Sequence, residues 1–120
     1  MATYTSIIVE DDEDFAELLE AYIMQLGNLT VLAKHGDTTK AALDIEKLKP
    51  DIVFLDVNIS GLAGPEFMEL VEHQPQIIVV SGHSPRIMEE YDLEITSFIQ
   101  KPFTKDDLRE AVEKCIAQLG

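Results

Sequence analysis

The segment IIVEDDEDF, residues 7–15, carries the main information on the fold, because three apolar residues lead directly into an acidic cluster. A second apolar run, IVFL at residues 52–55, ends in the same way on Asp56. Strands that are buried on both faces of a parallel sheet read as continuous apolar runs, and ligands bind beyond their carboxyl ends. We therefore expect Glu10, Asp11 and Asp56 to meet in one acidic pocket.

This predicted acidic pocket is a candidate site for a divalent cation. Clustered carboxylates repel one another, and an oxygen-liganded ion such as Mg²⁺ relieves that repulsion. Mg²⁺ also keeps several water ligands, which the oxygens of a phosphate group can displace. The sequence therefore predicts Mg²⁺ as the cofactor of the pocket and a phosphate group as its ligand.

Composition and charge limit the classes of protein to which the chain can belong. The chain has 120 residues, of which 46% are hydrophobic, and this fits one domain spanning residues 1–120. The net charge of -14 repels nucleic acid, so we expect no direct nucleic-acid binding. The single cysteine, Cys115, allows no internal disulfide. Neither a signal peptide nor an apolar stretch approaching the roughly 20 residues of a membrane span is recognisable, so a cytoplasmic location without a membrane partner is expected.

Apolar runs alternate with helical patterns along the chain, which is typical of βαβ units. The apolar runs predict strands at residues 7–9, 29–33, 52–55, 77–80 and 98–99. The helical patterns predict helices over residues 15–26, 38–48, 64–73 and 85–93, and a last helix that follows the capping box Thr104-x-x-Asp107. Five strands and five helices in alternation predict an α/β fold of the flavodoxin-like, doubly wound type, with a five-stranded parallel sheet in the order 2-1-3-4-5.

Two further strand ends add complementary chemistry to the predicted pocket. Ser81 follows the apolar run at residues 78–80, and Lys101 follows the strand around residues 98–100. A hydroxyl donor and a fixed cation would then face the carboxylates. Phosphoryl transfer requires such a set of groups, because negative charge builds on the three equatorial oxygens of the transferred group.

The complete pattern resembles the receiver (CheY-like) domain of two-component response regulators. The resemblance covers the full chain and is carried, in the order of the family, by IIVEDDEDF, DIVFLDVNISGLAG, VVSGH and FIQKPF. It implies a signalling domain of a phosphorelay that accepts a phosphoryl group from a sensor histidine kinase or a phosphotransfer protein. It also implies a domain that assists only its own phosphorylation and dephosphorylation, and is not an enzyme with a separate substrate.

The resemblance implies a role for each acidic residue of the predicted pocket. Asp56 would be the phosphoacceptor, and Asp11 and Asp56 would bind Mg²⁺ directly. Glu10 would reach the ion mostly through water, and Asn58 would offer its backbone carbonyl as a further metal ligand.

The resemblance also implies a switch. Lys101 would pair with the aspartyl phosphate, and Ser81 would hydrogen-bond a phosphoryl oxygen. Phe98 occupies the position of the aromatic residue that changes rotamer on phosphorylation in the family, although a core packing role for Phe98 is an equal alternative. The responding surface is expected to be the face formed by residues 85–119, which would bind an output domain or a second copy of the chain.

The segment EEYDLEITSFIQKPF, residues 89–103, resembles receivers that are attached to DNA-binding domains of the LytTR type. In that case the chain would be the receiver part of a longer transcriptional regulator, with DNA contacts made by other residues.

Two other functions compete with the receiver hypothesis. A phosphatase of the haloacid dehalogenase type also attacks from an aspartate at a strand end, but it needs a second aspartate two residues later as a general acid. Asn58 occupies that place, which argues against turnover. A pseudo-receiver that only binds protein would lack a phosphorylation residue, and none is missing here.

Overall fold

Five parallel strands form one sheet in the order β2-β1-β3-β4-β5 in the computed structural model, which describes residues 3–56, 72–90 and 94–119. The predicted α/β fold and strand order are therefore confirmed. The observed strands are β1 (Tyr4–Val9), β2 (Leu29–His35), β3 (Ile52–Leu55), β4 (Gln76–Ser81) and β5 (Ser97–Gln100).

The described residues contain three α-helices rather than the five helices predicted: α1 (Glu13–Leu26), α2 (Thr38–Leu48) and α3 (Lys105–Leu119). The predicted helix over 64–73 lies outside the described residues up to position 71, and residues 72 and 73 are not helical. Over the described part of 85–93, the chain forms a 3-10 helix, Pro85–Glu90. No helix within the described ranges is both long enough and apolar enough to cross a membrane.

The central strands are buried on both faces, as their continuous apolar sequences predict. Alternate residues of each strand point to opposite faces of the sheet. One face packs against α2 and includes Ile7, Val9, Val53, Leu55, Ile77 and Val79. The other face packs against α1 and α3 and includes Ile8, Ile52, Phe54, Ile78 and Val80. Cys115 of α3 belongs to this second cluster, and burial raises the pKa of its thiol to about 11.

Capping residues mark the ends of the helices, and α1 begins at Glu13, two residues before its predicted start. Asp12 accepts a hydrogen bond from Phe15 N at the start of α1, and Gly27 ends α1 with a φ of 81°, a left-handed conformation that glycine adopts without strain. At the start of α3, Asp107 N donates to Thr104 Oγ1 and Thr104 N donates to Asp107 Oδ2. These two bonds form the predicted capping box.

The capping box gives a prediction on stability. Thr104→Ala removes the acceptor for Asp107 N, so we expect the free energy of unfolding in urea to fall by about 1 kcal/mol. Thr104→Ser keeps the hydroxyl and should unfold close to the wild-type midpoint. Equal midpoints for the alanine variant and the wild type would contradict the capping role.

Candidate functional site

The carboxyl ends of β1 and β3 lie side by side and bring the predicted acidic residues together. Val9 pairs in register with Leu55, and Asp56 N donates a hydrogen bond to Val9 O at 3.0 Å. One carboxylate oxygen from each of Glu10, Asp11 and Asp56 can be chosen so that all three lie within 4.8 Å of one another. The sheet topology thus builds the expected acidic cluster at the point where the strand order reverses.

Lys101 is delivered to the same site by the neighbouring pair of strands. Lys101 N donates to Ser81 O at 2.7 Å, which aligns the ends of β4 and β5. Lys101 Nζ then reaches across the sheet, donates to Glu10 Oε1 at 2.5 Å and lies 3.6 Å from Asp56 Oδ2. The ammonium group is therefore shared between two carboxylates from two different strands.

Ser81 ends β4 and is fully buried. Its Oγ accepts a hydrogen bond from His83 N at 3.1 Å, which fixes the start of the following loop. The hydroxyl hydrogen is not used in that bond, so the group can donate to an additional acceptor.

The burial of the acidic cluster is uneven. Glu10 is 5% exposed and Asp56 is 8% exposed, whereas Asp11 lies at the surface. The pKa of Glu10 is raised from 4.5 to about 8, first by burial and then by a hydrogen bond with Asp56, while the Lys101 ammonium opposes the shift. The metal-free pocket therefore favours a proton on Glu10 at neutral pH.

One oxygen of Glu10 lacks a partner. Among the described residues, Glu10 Oε2 is buried and accepts no hydrogen bond. An ionised carboxylate can only accept hydrogen bonds, so a neighbouring carboxylate gives no bond until a proton or a cation lies between the two groups. Mg²⁺ binds carboxylate oxygens in proteins, and the three carboxyl groups present fit this ion. The expected ligand Asn58 lies outside the described residues.

Phe98 lies on β5 and pairs in register with Val79 of β4. It is half-buried and packs against the core cluster on the α2 side, as do Ile87 and Met88 of the 3-10 helix. The structure therefore gives Phe98 a packing role, and the switch role stays a prediction. Beside it, a groove of about 450 Å³ runs between β5 and α3.

Phe15 is a site residue that the sequence reasoning missed. The sequence predicts for it only a place at the start of the first helix, yet the ring centroid of Phe15 lies 4.0 Å from Lys101 Nζ. The available signal was the position of Phe15 directly after the acidic cluster, together with the aromatic residue Phe103 two positions beyond Lys101.

Comparison with known proteins agrees with this geometry. The family model described as the response regulator receiver domain matches residues 7–113. The chain belongs to this family. The predicted resemblance to receiver domains is thereby confirmed, and the receiver hypothesis is favoured over the dehalogenase-type phosphatase.

Some relatives match this chain over most of their own length, and others match it over only about half. Sporulation initiation phosphotransferase F of Bacillus subtilis is 32% identical over 114 residues, which are 90% of this chain and 90% of that protein. Sensory transduction protein LytT of Enterococcus faecalis is 23% identical over 118 residues, which are 95% of this chain but 49% of that protein. The chain spans about half the length of the first curated relatives that it matches.

The solved structures support the fold. The response regulatory domain of protein mrkE from Klebsiella pneumoniae superimposes with a TM-score of 0.82 at 23% identity, and the match covers 95% of this chain and 96% of that one. Receiver domains act in two-component phosphorelays, carry an aspartate phosphoacceptor and generally bind Mg²⁺ at an acidic pocket. They interact with histidine kinases and phosphotransfer proteins. The predicted function, a receiver domain in phosphorelay signalling, is thus confirmed at the level of the family.

Proposed function

We propose that Asp56 of this receiver domain accepts a phosphoryl group from a histidine kinase or a phosphotransfer protein in the presence of Mg²⁺. The observation that carries the proposal is the convergence of the Asp56 carboxylate, the Lys101 ammonium and the carboxylates of Glu10 and Asp11 at one edge of the sheet. The four groups follow the ends of three strands, with Glu10 and Asp11 after β1, Asp56 after β3 and Lys101 after β5, so the sheet sets their relative positions.

In this proposal an oxygen of Asp56 attacks the phosphorus atom while the bond from phosphorus to the donor breaks. The product is an aspartyl phosphate, and the donor leaves with the electron pair of the broken bond. Lys101 Nζ, at 3.6 Å from Asp56 Oδ2, is close enough to follow the charge that develops on the phosphoryl oxygens. The domain has no separate substrate, so it serves as a phosphoacceptor in signalling and not as an enzyme with turnover.

Glu10, Asp11 and Asp56 are the residues that would hold Mg²⁺, with the backbone carbonyl of Asn58 as the proposed further ligand. The ion supplies positive charge that neutralises the carboxylates and the phosphoryl oxygens. The buried, unpartnered Oε2 of Glu10 supports this assignment, because it leaves an acceptor available beside the other two carboxylates.

The test of the proposal is the intact mass of the chain after incubation with acetyl phosphate. With Mg²⁺ present, we expect a mass increase of one phosphoryl group, and with excess EDTA we expect none. A chain that gains the group equally well without Mg²⁺ would contradict the metal-assisted transfer.

Phosphorylation is proposed to act on a partner surface through Ser81 and Phe98. The free hydroxyl hydrogen of Ser81 would turn to a phosphoryl oxygen, and the loop that leads to the 3-10 helix Pro85–Glu90 would move with it. Phe98 is half-buried on the neighbouring strand β5, and its side chain would move together with this loop. The surface of residues 85–119, with its groove between β5 and α3, is the proposed docking face for an output domain or a second copy of the chain.

This switch predicts which backbone amides respond to a phosphoryl mimic. Addition of beryllofluoride with Mg²⁺ should shift the amide signals around Asp56, Ser81 and the 3-10 helix, because that helix is held by only a short apolar stripe. Signals of α2, Thr38–Leu48, should stay in place and serve as an internal control. If the changes are confined to the neighbourhood of Asp56, the proposed switch is wrong even where the phosphorylation site is right.

The similarity to proteins named LytT supports a further proposal on the whole protein. A relative of about twice the length leaves room for a second domain beyond the matched part. We propose that this receiver controls a DNA-binding output domain of the LytTR type, and that DNA contacts are made outside the chain described, whose own net charge is -14.

A further inference from the structure

The ammonium group of Lys101 has three close neighbours among the described residues, and one of them is an aromatic ring rather than a carboxyl group. Two are the carboxylates of Glu10 and Asp56, and the third is the ring of Phe15, whose centroid lies 4.0 Å from Nζ. The electron-rich face of an aromatic ring attracts a cation, and the attraction strengthens as water is removed. The Lys101 side chain is 24% exposed, so its contact with the ring is partly shielded from water.

The two kinds of neighbour respond differently to a bound cation. Glu10 and Asp56 are also the proposed Mg²⁺ ligands, so an ion in the pocket draws their oxygens away from the ammonium and repels it as a like charge. Phe15 binds no metal. Its attraction for Lys101 therefore persists when the carboxylates are engaged elsewhere.

The Phe15 ring packs directly against one further ring, that of Phe103. Phe15 meets the edge of Phe103 with centroids 5.5 Å apart and ring planes at 73°, and Phe103 meets Tyr22 in the same manner at 5.9 Å and 89°. Edge-to-face pairs of this kind are favourable and directional. Because Phe103 lies two residues after Lys101, the same cluster ties α1 to the segment that carries the ammonium group.

We propose that Phe15 is a positioning residue for phosphoryl transfer, because its ring face holds the Lys101 ammonium at the pocket when Mg²⁺ occupies the carboxylates. This inference rests on the proposed function through the role of Lys101. Phe15 touches neither the phosphoryl group nor the metal, and it acts only through Lys101.

The first test measures the contact itself and needs no phosphorylation. A ring face shifts the proton signals of a group above it upfield, so the ε-methylene protons of Lys101 should be shifted in the wild type, both without Mg²⁺ and at saturating Mg²⁺. The shift should vanish in Phe15→Leu and be retained in Tyr22→Leu, which removes a ring of the same cluster that does not contact Lys101. Loss of the wild-type shift on addition of Mg²⁺ would overturn the proposal.

The second test measures the rate of phosphorylation by acetyl phosphate with Mg²⁺. Loss of one partly desolvated cation–ring contact should slow Phe15→Leu by about fivefold. Phe15→Tyr keeps an aromatic face and should recover most of the rate. Tyr22→Leu should stay within about twofold of the wild-type rate, a smaller change than that expected for Phe15→Leu. Equal rates for the wild type and Phe15→Leu would overturn the proposal. Equal slowing in Phe15→Leu and Phe15→Tyr would overturn it as well.

A double variant separates this inference from the proposed function. In a Lys101→Ala background, Phe15→Leu should cause no additional slowing, because the ring then has no ammonium group to hold. Additional slowing of the same size would show that Phe15 does not act through Lys101. Failure of Asp56 to accept phosphate would defeat the proposed function, while the proton shifts of Lys101 would still decide whether the ring holds the ammonium group.

Discussion

Asp56→Asn is expected to gain no phosphoryl group from acetyl phosphate, whereas the wild type gains one. The amide of asparagine is not a nucleophile towards phosphorus under these conditions, and it also removes one negative charge from the proposed Mg²⁺ site. Asp56 is buried beside Lys101, so substitution by the similarly sized asparagine is the mildest available change. Intact mass after a fixed incubation measures the outcome directly.

Two neighbouring acidic residues provide matched variants for this experiment. Asp11 belongs to the carboxylate cluster, whereas Asp12 caps α1 through its bond from Phe15 N. Asp11→Asn should raise the Mg²⁺ concentration needed for phosphorylation at least about tenfold, since one ligand charge is lost. Asp12→Asn should behave as the wild type, because asparagine caps a helix as well as aspartate does.

The outcomes discriminate between the hypotheses that the sequence left open. A mass gain that survives in Asp56→Asn would show that a different residue is the acceptor. No mass gain in the wild type at any Mg²⁺ concentration would favour a pseudo-receiver that acts only by binding protein. Continuous release of inorganic phosphate at a rate far above the decay of the aspartyl phosphate would point instead to phosphatase turnover.

The sequence predicted the fold well where burial is complete. The bounds of β3 and α2 agree with prediction at both ends, because apolar runs and caps mark them. β2 extends to His35, two residues beyond the prediction. It is an edge strand, and its last residues, Lys34 and His35, are polar because solvent reaches one side, so the apolar signal fades before the strand ends.

The 85–93 segment shows where a periodic pattern is insufficient. Ile87 and Met88 pack against the core, but two buried side chains are too few to hold a longer α-helix, and the described part forms a short 3-10 helix. Short runs with few buried contacts take their conformation from tertiary surroundings. The same scarcity of contacts is the reason to expect this segment to respond to phosphorylation.

The site was predictable as a set of positions but not as a set of contacts. Strand ends in a parallel sheet must meet, and this placed Glu10, Asp56 and Lys101 together. That Lys101 Nζ lies closer to Glu10 than to Asp56, and rests on the ring of Phe15, depends on side-chain directions set by packing. Patterns along the chain contain no information on those directions.

The metal-free domain is expected to lose stability as the pH rises from about 4.5 to about 8. Glu10 has a pKa of about 8 in the folded chain against 4.5 as its ordinary value, so the folded state binds more protons than the unfolded state over this interval. The stabilisation is fully present below pH 4.5 and is lost as the pH passes the folded pKa. The free energy of unfolding should fall by at most about 1.4 kcal/mol per pH unit from this group.

Variants assign this slope to its source. Glu10→Gln cannot ionise, so it should show a flatter pH dependence and exceed the wild type at pH 8 by about 1 to 3 kcal/mol in the absence of metal. Glu113→Gln, on the exposed side of α3, removes the same charge elsewhere and should keep the wild-type slope. Urea denaturation at several pH values in EDTA measures all three proteins.

Mg²⁺ should reverse this loss, because the ion requires the ionised form of Glu10 that the metal-free fold disfavours. Metal ligands must be deprotonated, so the affinity for Mg²⁺ should rise with pH over the same interval. At about ten times the dissociation constant the folded state gains roughly 1.4 kcal/mol, and Glu10→Gln should gain less. A wild type whose stability in EDTA is independent of pH between 5 and 8, or a Glu10→Gln variant that is less stable than the wild type at pH 8, would contradict the strained carboxylate cluster. If the wild type loses stability with rising pH in EDTA and Glu10→Gln is the more stable protein at pH 8, then the carboxylates that let the pocket bind a cation also weaken the fold without it.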